Sequence, residues 1–194
     1  MNRDIPGIDS SSVGDPTTFL PLDRLESALG ALPPAPRDVG EVVLLVTRLE
    51  RGRRQVLERV ELTPESGFPG DAWGRRTPEL AEAQLAVMQK GVADLIANGQ
   101  PRLLFGDNLF LDLDLSSANL PIGSRLRAGT VTLEVTPKPH NGCVKFRGRF
   151  GGDALRLVVK PDLRHLNLRG IYMRVLDGGT IQAGDTIEVL SRAS

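Results

Sequence analysis

The sequence predicts a mostly β domain, a curved antiparallel β-barrel with one main helix and a short N-terminal helical arm. Three observations carry this. Leu109, Leu111, Leu113 and Leu115 alternate with Phe110, Asp112 and Asp114, and the same period of two recurs at 131–136 and 171–176, which suits strands with one buried face. Glycine (21) and proline (14) together make roughly 18% of the 194 residues, against a usual ~12%. That much punctuation suits short strands joined by turns. Only one long stretch, 78–98, has a helical stripe.

In chain order, residues 1–17 are rich in Gly, Ser, Asp and Pro and read as a lead segment. Leu22, Leu25, Ala28 and Leu29 have helical spacing between Pro21 and Gly30, so a short helix is expected there. Ala31 to Pro36 is a proline-rich spacer. The expected division is therefore an arm over 1–39 and a domain over 40–194. Residues 41–49 and 54–62 read as strands. Over 78–98, Thr77 is placed as N-cap, Pro78 at the first helical position and Gly99 just past the end. Ala81, Leu85, Met88, Val92 and Leu95 fall on one helical face, a core stripe. Strands follow at 109–115, 131–136, 171–176 and around Ile187 and Val189.

Composition removes several function classes. Lys plus Arg equals Asp plus Glu, 24 against 24, so no overall field draws the chain to nucleic acid or a membrane surface. The longest aliphatic run, Val42 to Val46, is far below the ~20 residues of a membrane helix. MNRDIPGIDSSSVGDP has no apolar core of an export signal. With one cysteine no internal disulfide forms, and the cytoplasm is the expected compartment.

The chemistry centres on Cys143. From Pro137 to Phe150 the chain carries Lys138, Lys145, Arg147 and Arg149 and no acid. Nearby cations favour the nucleophilic or metal-binding thiolate. The same cluster suits a phosphate-bearing ligand or a plain solvated face. His140 lies three residues before Cys143, a spacing that could share a metal, but no second Cys/His pair completes a closed zinc site. His140 also reads as a loop residue, and Cys143 as a buried structural thiol. Asp71 and Asp185 follow glycines and read as turn residues. No Ser-His-Asp signature, P-loop or dinucleotide fingerprint is present.

The order Gly67-Phe68-Pro69-Gly70-Asp71, Phe105-Gly106-Asp107-Asn108-Leu109, Ile122-Gly123, Glu134-Val135-Thr136-Pro137, the cysteine segment and Arg169-Gly170-Ile171-Tyr172 resembles the MOSC domain, the module named after the C-terminal part of molybdenum cofactor sulfurases. The likeness covers about residues 40–190. It implies a barrel-like fold and a single cysteine, here Cys143, that ligates molybdenum in a pyranopterin cofactor or carries sulfur. A soft thiolate suits a metal already held by dithiolene sulfurs. Lys138, Lys145, Arg147 and Arg169 are the implied phosphate partners, and Asn108 the implied pterin partner. Three departures stand out: Trp73 replaces the histidine of Gly-Asp-x-His, Asp107 replaces a glutamate, and Gly142 replaces the proline before the cysteine. They open a reading in which Cys143, His140 and Trp73 serve another ligand; under the cofactor reading Asp71 and Trp73 stand among the cofactor-binding residues.

The resemblance implies a molybdenum-cofactor oxidoreductase acting on a small N-hydroxylated or related substrate, with electrons from a separate redox partner. Two alternatives stand beside it. One is a metal-free sulfur-transfer or carbon–sulfur bond-processing enzyme with Cys143 as nucleophile and His140 as base. The other is a non-catalytic module that binds the cofactor or an anion. Small relatives of the family self-associate, so a homodimer using the arm is a further expectation.

Overall fold

The computed structural model describes residues 13–72 and 81–193. Among the described residues there are ten strands: β1 (Val39–Arg48), β2 (Arg54–Leu57), β3 (Arg59–Leu62), β4 (Leu85–Gln89), β5 (Leu109–Asp112), β6 (Arg125–Ala128), β7 (Val131–Val135), β8 (Ile171–Asp177), β9 (Gly179–Gln182) and β10 (Thr186–Ser191). Among the same residues three α-helices accompany them: α1 (Leu22–Gly30), α2 (Lys90–Ala97) and α3 (Val144–Val159). Seven strands close into a barrel in the order β1-β10-β6-β7-β8-β4-β5, with β5 returning to β1. The long β1 makes closure possible. Its start pairs with β10 at Val39–Glu41, its end pairs with β2 at Leu45–Arg48, and β5 lies along it at Glu41–Leu45. Strands β3 and β9 form a separate two-stranded ribbon.

The strands separate two cores by the alternation of their side chains. Leu45, Val87, Leu109 and Leu111 point into the barrel and join Leu126, Leu133, Met173 and Ile187. Val46, Met88 and Phe110, one residue on in each case, point out and meet α1, α2 and α3. Closing a barrel removes exposed sheet edges, and the helical layer covers one outer wall. In that outer core Phe105 stacks on Phe150, with ring centroids 4.1 Å apart.

The arm lies on this outer layer. Leu25 is buried within it. The Leu22 backbone N–H donates to Asp153 of α3 at 3.3 Å, and Lys160 pairs with Glu26 at 2.6 Å. Upstream, the Gly14 N–H donates to the Gly148 carbonyl at 3.1 Å, and a side chain at Gly14 would collide with the Arg149 carbonyl.

The structure corrects several expectations. A helix does not run through 78–98: Leu85–Gln89 is strand β4, and the helix is Lys90–Ala97. Leu85, Ala86, Val87 and Met88 are all buried because both faces of β4 are covered. Such a run carries no period of two, so it fits a helical stripe equally well. The helix stop is where glycine placed it, with Asn98 and Gly99 both at positive φ. Thr77 and Pro78 lie outside the described residues. The barrel is also not wholly antiparallel, since β4 and β5 run parallel. The stretch 54–62 divides into β2 and β3, in different sheets. Helix α3 was not anticipated. Among the described residues no helix is long and apolar enough to cross a membrane.

Candidate functional site

The site forms where the end of β1, the turn before β5, the start of β8 and the loop before α3 converge. Arg48 closes β1. Its Nε bonds both oxygens of Asp71 at 3.0 Å and its Nη2 bonds Asp71 Oδ2 at 2.7 Å. The same Nη2 donates to Asn108 Oδ1 at 3.0 Å. Asn108 Nδ2 donates to the Val46 carbonyl and to Asp71 Oδ1, each at 3.2 Å, and its Oδ1 also accepts from the Ala86 N–H at 3.1 Å. Asp71 and Asn108 thus tie β1, β4 and the 67–72 loop together from behind the site wall.

A second pair lies on the other side. Arg169 Nη1 donates to Asp107 Oδ1 at 3.0 Å and Oδ2 at 2.8 Å, with Asp107 fully buried. The Arg169 guanidinium sits 5.3 Å from the Phe146 ring centre, a cation–π contact. Gly170 follows at φ +94°, where a Cβ would stand 2.1 Å from the Val87 carbonyl. Glycine is needed there to bring Arg169 against the barrel. His140 lies over the Tyr172 ring, centroids 4.4 Å apart, with Nδ1 3.6 Å from Asp107 Oδ1.

These groups border a pocket of about 380 Å³, within the range of small-ligand sites. Its charged walls are Arg48, Arg53, Arg54, Lys145, Arg149 and Arg169, with His140, Cys143 and Tyr172 beside them. Among the described residues no carboxylate lines it. Asp71 and Asp107 stand behind it, so the wall facing a ligand is cationic. Cys143 is exposed, immediately before α3. Gly106, at φ +80°, lets the Arg54 guanidinium lie close; a Cβ there would be 3.1 Å from its Nη2.

The electrostatics follow from this burial. Desolvation pushes the His140 pKa well below the ordinary 6.5, and Arg169 and Arg48 add to it, so the imidazole is neutral. Burial lowers Arg149 and raises Tyr172 in the same way, each favouring the uncharged form. Arg149 keeps a 2.8 Å bond from Nη1 to the Leu104 carbonyl.

Of the residues singled out by sequence, Cys143, His140, Lys145 and Arg169 come together on the pocket wall. Lys138 and Arg147 do not line it. Asn108 and Asp71 are buried in the tie behind it, where their polar atoms already have protein partners. Trp73 lies outside the described residues. Sequence reasoning did not place Arg48, Arg53, Arg54, Arg149 or Tyr172 at the site. The run Arg51-Gly52-Arg53-Arg54 was a signal for two of them, and Arg149 was already inside the basic stretch around the cysteine. Among the described residues no group of three His, Cys, Asp or Glu side chains could hold a metal ion. A metal bound at Cys143 would have to arrive with ligands of its own.

The MOSC domain family model matches residues 80–188, more than half of the chain. YflK, an uncharacterized protein of Bacillus subtilis (strain 168), is 33% identical over 88 residues, which are 45% of this chain and 37% of YflK. The match thus spans little more than a third of that relative's length. Among solved structures, YuaD from Bacillus subtilis has a TM-score of 0.54 at 21% identity, over 78% of this chain and 95% of YuaD. YiiM from Escherichia coli has a TM-score of 0.53 at 20% identity, over 79% of this chain and 71% of YiiM. These structural likenesses show the fold. Together with the matched family model and the barrel, they lead to one conclusion: the chain belongs to the MOSC domain family.

Proposed function

We propose that this protein binds a molybdenum pyranopterin cofactor with the Cys143 thiolate as metal ligand, and acts as an oxidoreductase on a small N-hydroxylated or related substrate. The observation that supports the reading is an exposed cysteine sharing one pocket, among the described residues, with six Lys and Arg side chains and no carboxylate. The donor set fits the group. One thiolate cannot cage a bare metal ion, but it can complete the coordination of one already held by dithiolene sulfurs. The cations suit the cofactor's phosphate, with Lys145 and Arg53 at the exposed rim and Arg149 deeper. Phe105 and Tyr172 border the same pocket and add apolar surface to it. When bound, the cofactor would supply oxygen-atom removal, with electrons from a separate partner protein.

The test is composition. Purified from a host that makes the cofactor, the wild-type chain is expected to carry molybdenum and pterin in near-equal amounts, and Cys143→Ser to lose the metal. Absence of both from the wild type, or unchanged content in Cys143→Ser, overturns the reading. Apo protein with a rapidly alkylated Cys143 would favour the metal-free thiol alternative, because a neutral His140 in the same pocket can accept the thiol proton.

A further inference from the structure

Among the described residues, the guanidinium groups and Lys145 on the pocket wall have no acceptor to offer, and Asp71 and Asp107 stand behind the wall. Asn141, Tyr172 and His140 can accept. The Asn141 amide and the Tyr172 hydroxyl each also donate, whereas the bare nitrogen of a neutral imidazole only accepts, and the surroundings of His140 fix which nitrogen that is. Its Nδ1 is buried without a hydrogen-bond partner, and a buried carboxylate oxygen, Asp107 Oδ1, lies 3.6 Å from it. A lone pair on Nδ1 would point at a carboxylate oxygen and be repelled; a proton there is attracted. Nδ1 therefore carries the hydrogen, and Nε2 is left as the bare nitrogen. The groups around the ring agree. Arg169 and Arg48 oppose a positive imidazole, the Tyr172 ring stacks against it, and Asp107 is itself held by Arg169. Arg169 Nε is also buried without a partner.

We propose that His140 is the specificity-determining acceptor of the pocket: its Nε2 receives a hydrogen bond from an anionic ligand that still carries an O–H or N–H, and so selects protic anions over aprotic ones. Arginine and lysine attract any anion, and His140 asks for a proton on it. A monoprotonated phosphate group meets both demands. A sulfate of the same size, shape and dianionic charge meets only the first. Asp107 is the positioning residue, because it sets the tautomer without touching the ligand. This deepens the reading above, resting on the pocket being an anion site. Its readouts are separate from molybdenum content.

The full-length protein labelled with [15N]histidine tests it. The chain has only two histidines, so His165→Asn assigns the spectrum. Near neutral pH, long-range 1H–15N correlations are expected to show His140 protonated at Nδ1 and bare at Nε2. Inorganic phosphate should move the Nε2 signal and bind roughly tenfold more tightly than sulfate, the difference one hydrogen bond to a charged ligand supplies. In His140→Leu the two anions should bind within roughly twofold of each other. An Nε2-protonated or doubly protonated ring in the wild type overturns the proposal. So does sulfate binding as tightly as phosphate, or no response to either ion. The tautomer is read on the wild type, so the result does not depend on His140→Leu folding.

Discussion

Two arginine–aspartate pairs flank one pocket, and they are built differently. At Arg48–Asp71 the carboxylate accepts from the guanidinium, from the Arg48 backbone N–H at 2.7 Å and from Asn108. At Arg169–Asp107 a single guanidinium nitrogen reaches both oxygens, the Arg169 Nε has no partner, and His140 stands at 3.6 Å without a hydrogen bond. Buried polar groups in folded proteins are normally satisfied, and an unsatisfied one calls for an explanation. The contrast separates a pair whose polar atoms are satisfied within the fold from one that leaves polar atoms unpaired. Arg48–Asp71–Asn108 is a finished joint between strands. Arg169–Asp107–His140 is a partly finished network at the edge of a cationic cavity.

Matched substitutions break or sharpen this contrast. Asp71→Asn should be the most damaging, at about 3–5 kcal/mol, because it leaves a partly buried guanidinium uncompensated and turns an amide toward donors. Urea unfolding measures it. Asp107→Asn should cost less, about 1–3 kcal/mol, since it disturbs fewer bonds. The reverse order would dissolve the distinction. A third change probes how Arg149 is placed. Gly151 kinks α3 at φ 91°, ψ 166°, and a Cβ there would meet the Phe19 ring at 3.0 Å. Gly151→Ala should cost about 1–3 kcal/mol through this strained backbone. It should also loosen the arm, which limited proteolysis near Phe19 would reveal.

The open pair also predicts a pH response. His140 titrates below its ordinary 6.5 in the folded state. The unfolded chain therefore takes up the proton first. The contribution is complete above pH 6.5 and fades as pH falls below it, by at most about 1.4 kcal/mol per unit. His140→Gln should flatten that part of the stability curve; an unchanged slope would mean the imidazole is charged when folded. The smallest effect belongs to Cys143→Ser. The exposed thiol makes no core contact, so stability should stay within about 0.5 kcal/mol.

The barrel was legible where one face of a strand is buried and the next residue differs in kind. Val131, Leu133 and Val135 alternate with Thr132 and Glu134, and β7 follows. It was illegible where both faces are covered, as at β4, because a continuous apolar run has no period of two. Helix α3 was hidden for another reason. Gly148, Gly151 and Gly152 punctuate it and weaken a helical reading, although Phe146, Phe150, Ala154 and Leu157 keep helical spacing across the kink at Gly151. The basic residues around Cys143 then read as a loop cluster. The site divided the same way. Cys143, His140 and Lys145 were visible because they are neighbours in sequence. Arg54 sits across from Arg48 in the β1–β2 pair, but Arg48 and Tyr172 meet only through barrel closure, and Asp107 stands behind the pocket by the same route. No local pattern announces such pairings.

The claim beneath all of this is that a reachable sulfur and a ring of cations face the same ligand space. Iodoacetamide labelling of Cys143 in the native protein, with and without inorganic phosphate, tests it directly. The account predicts labelling of the folded chain, slowed by phosphate, with the protection weakening as sodium chloride is raised. Labelling that requires unfolding, or a rate indifferent to phosphate, would contradict it.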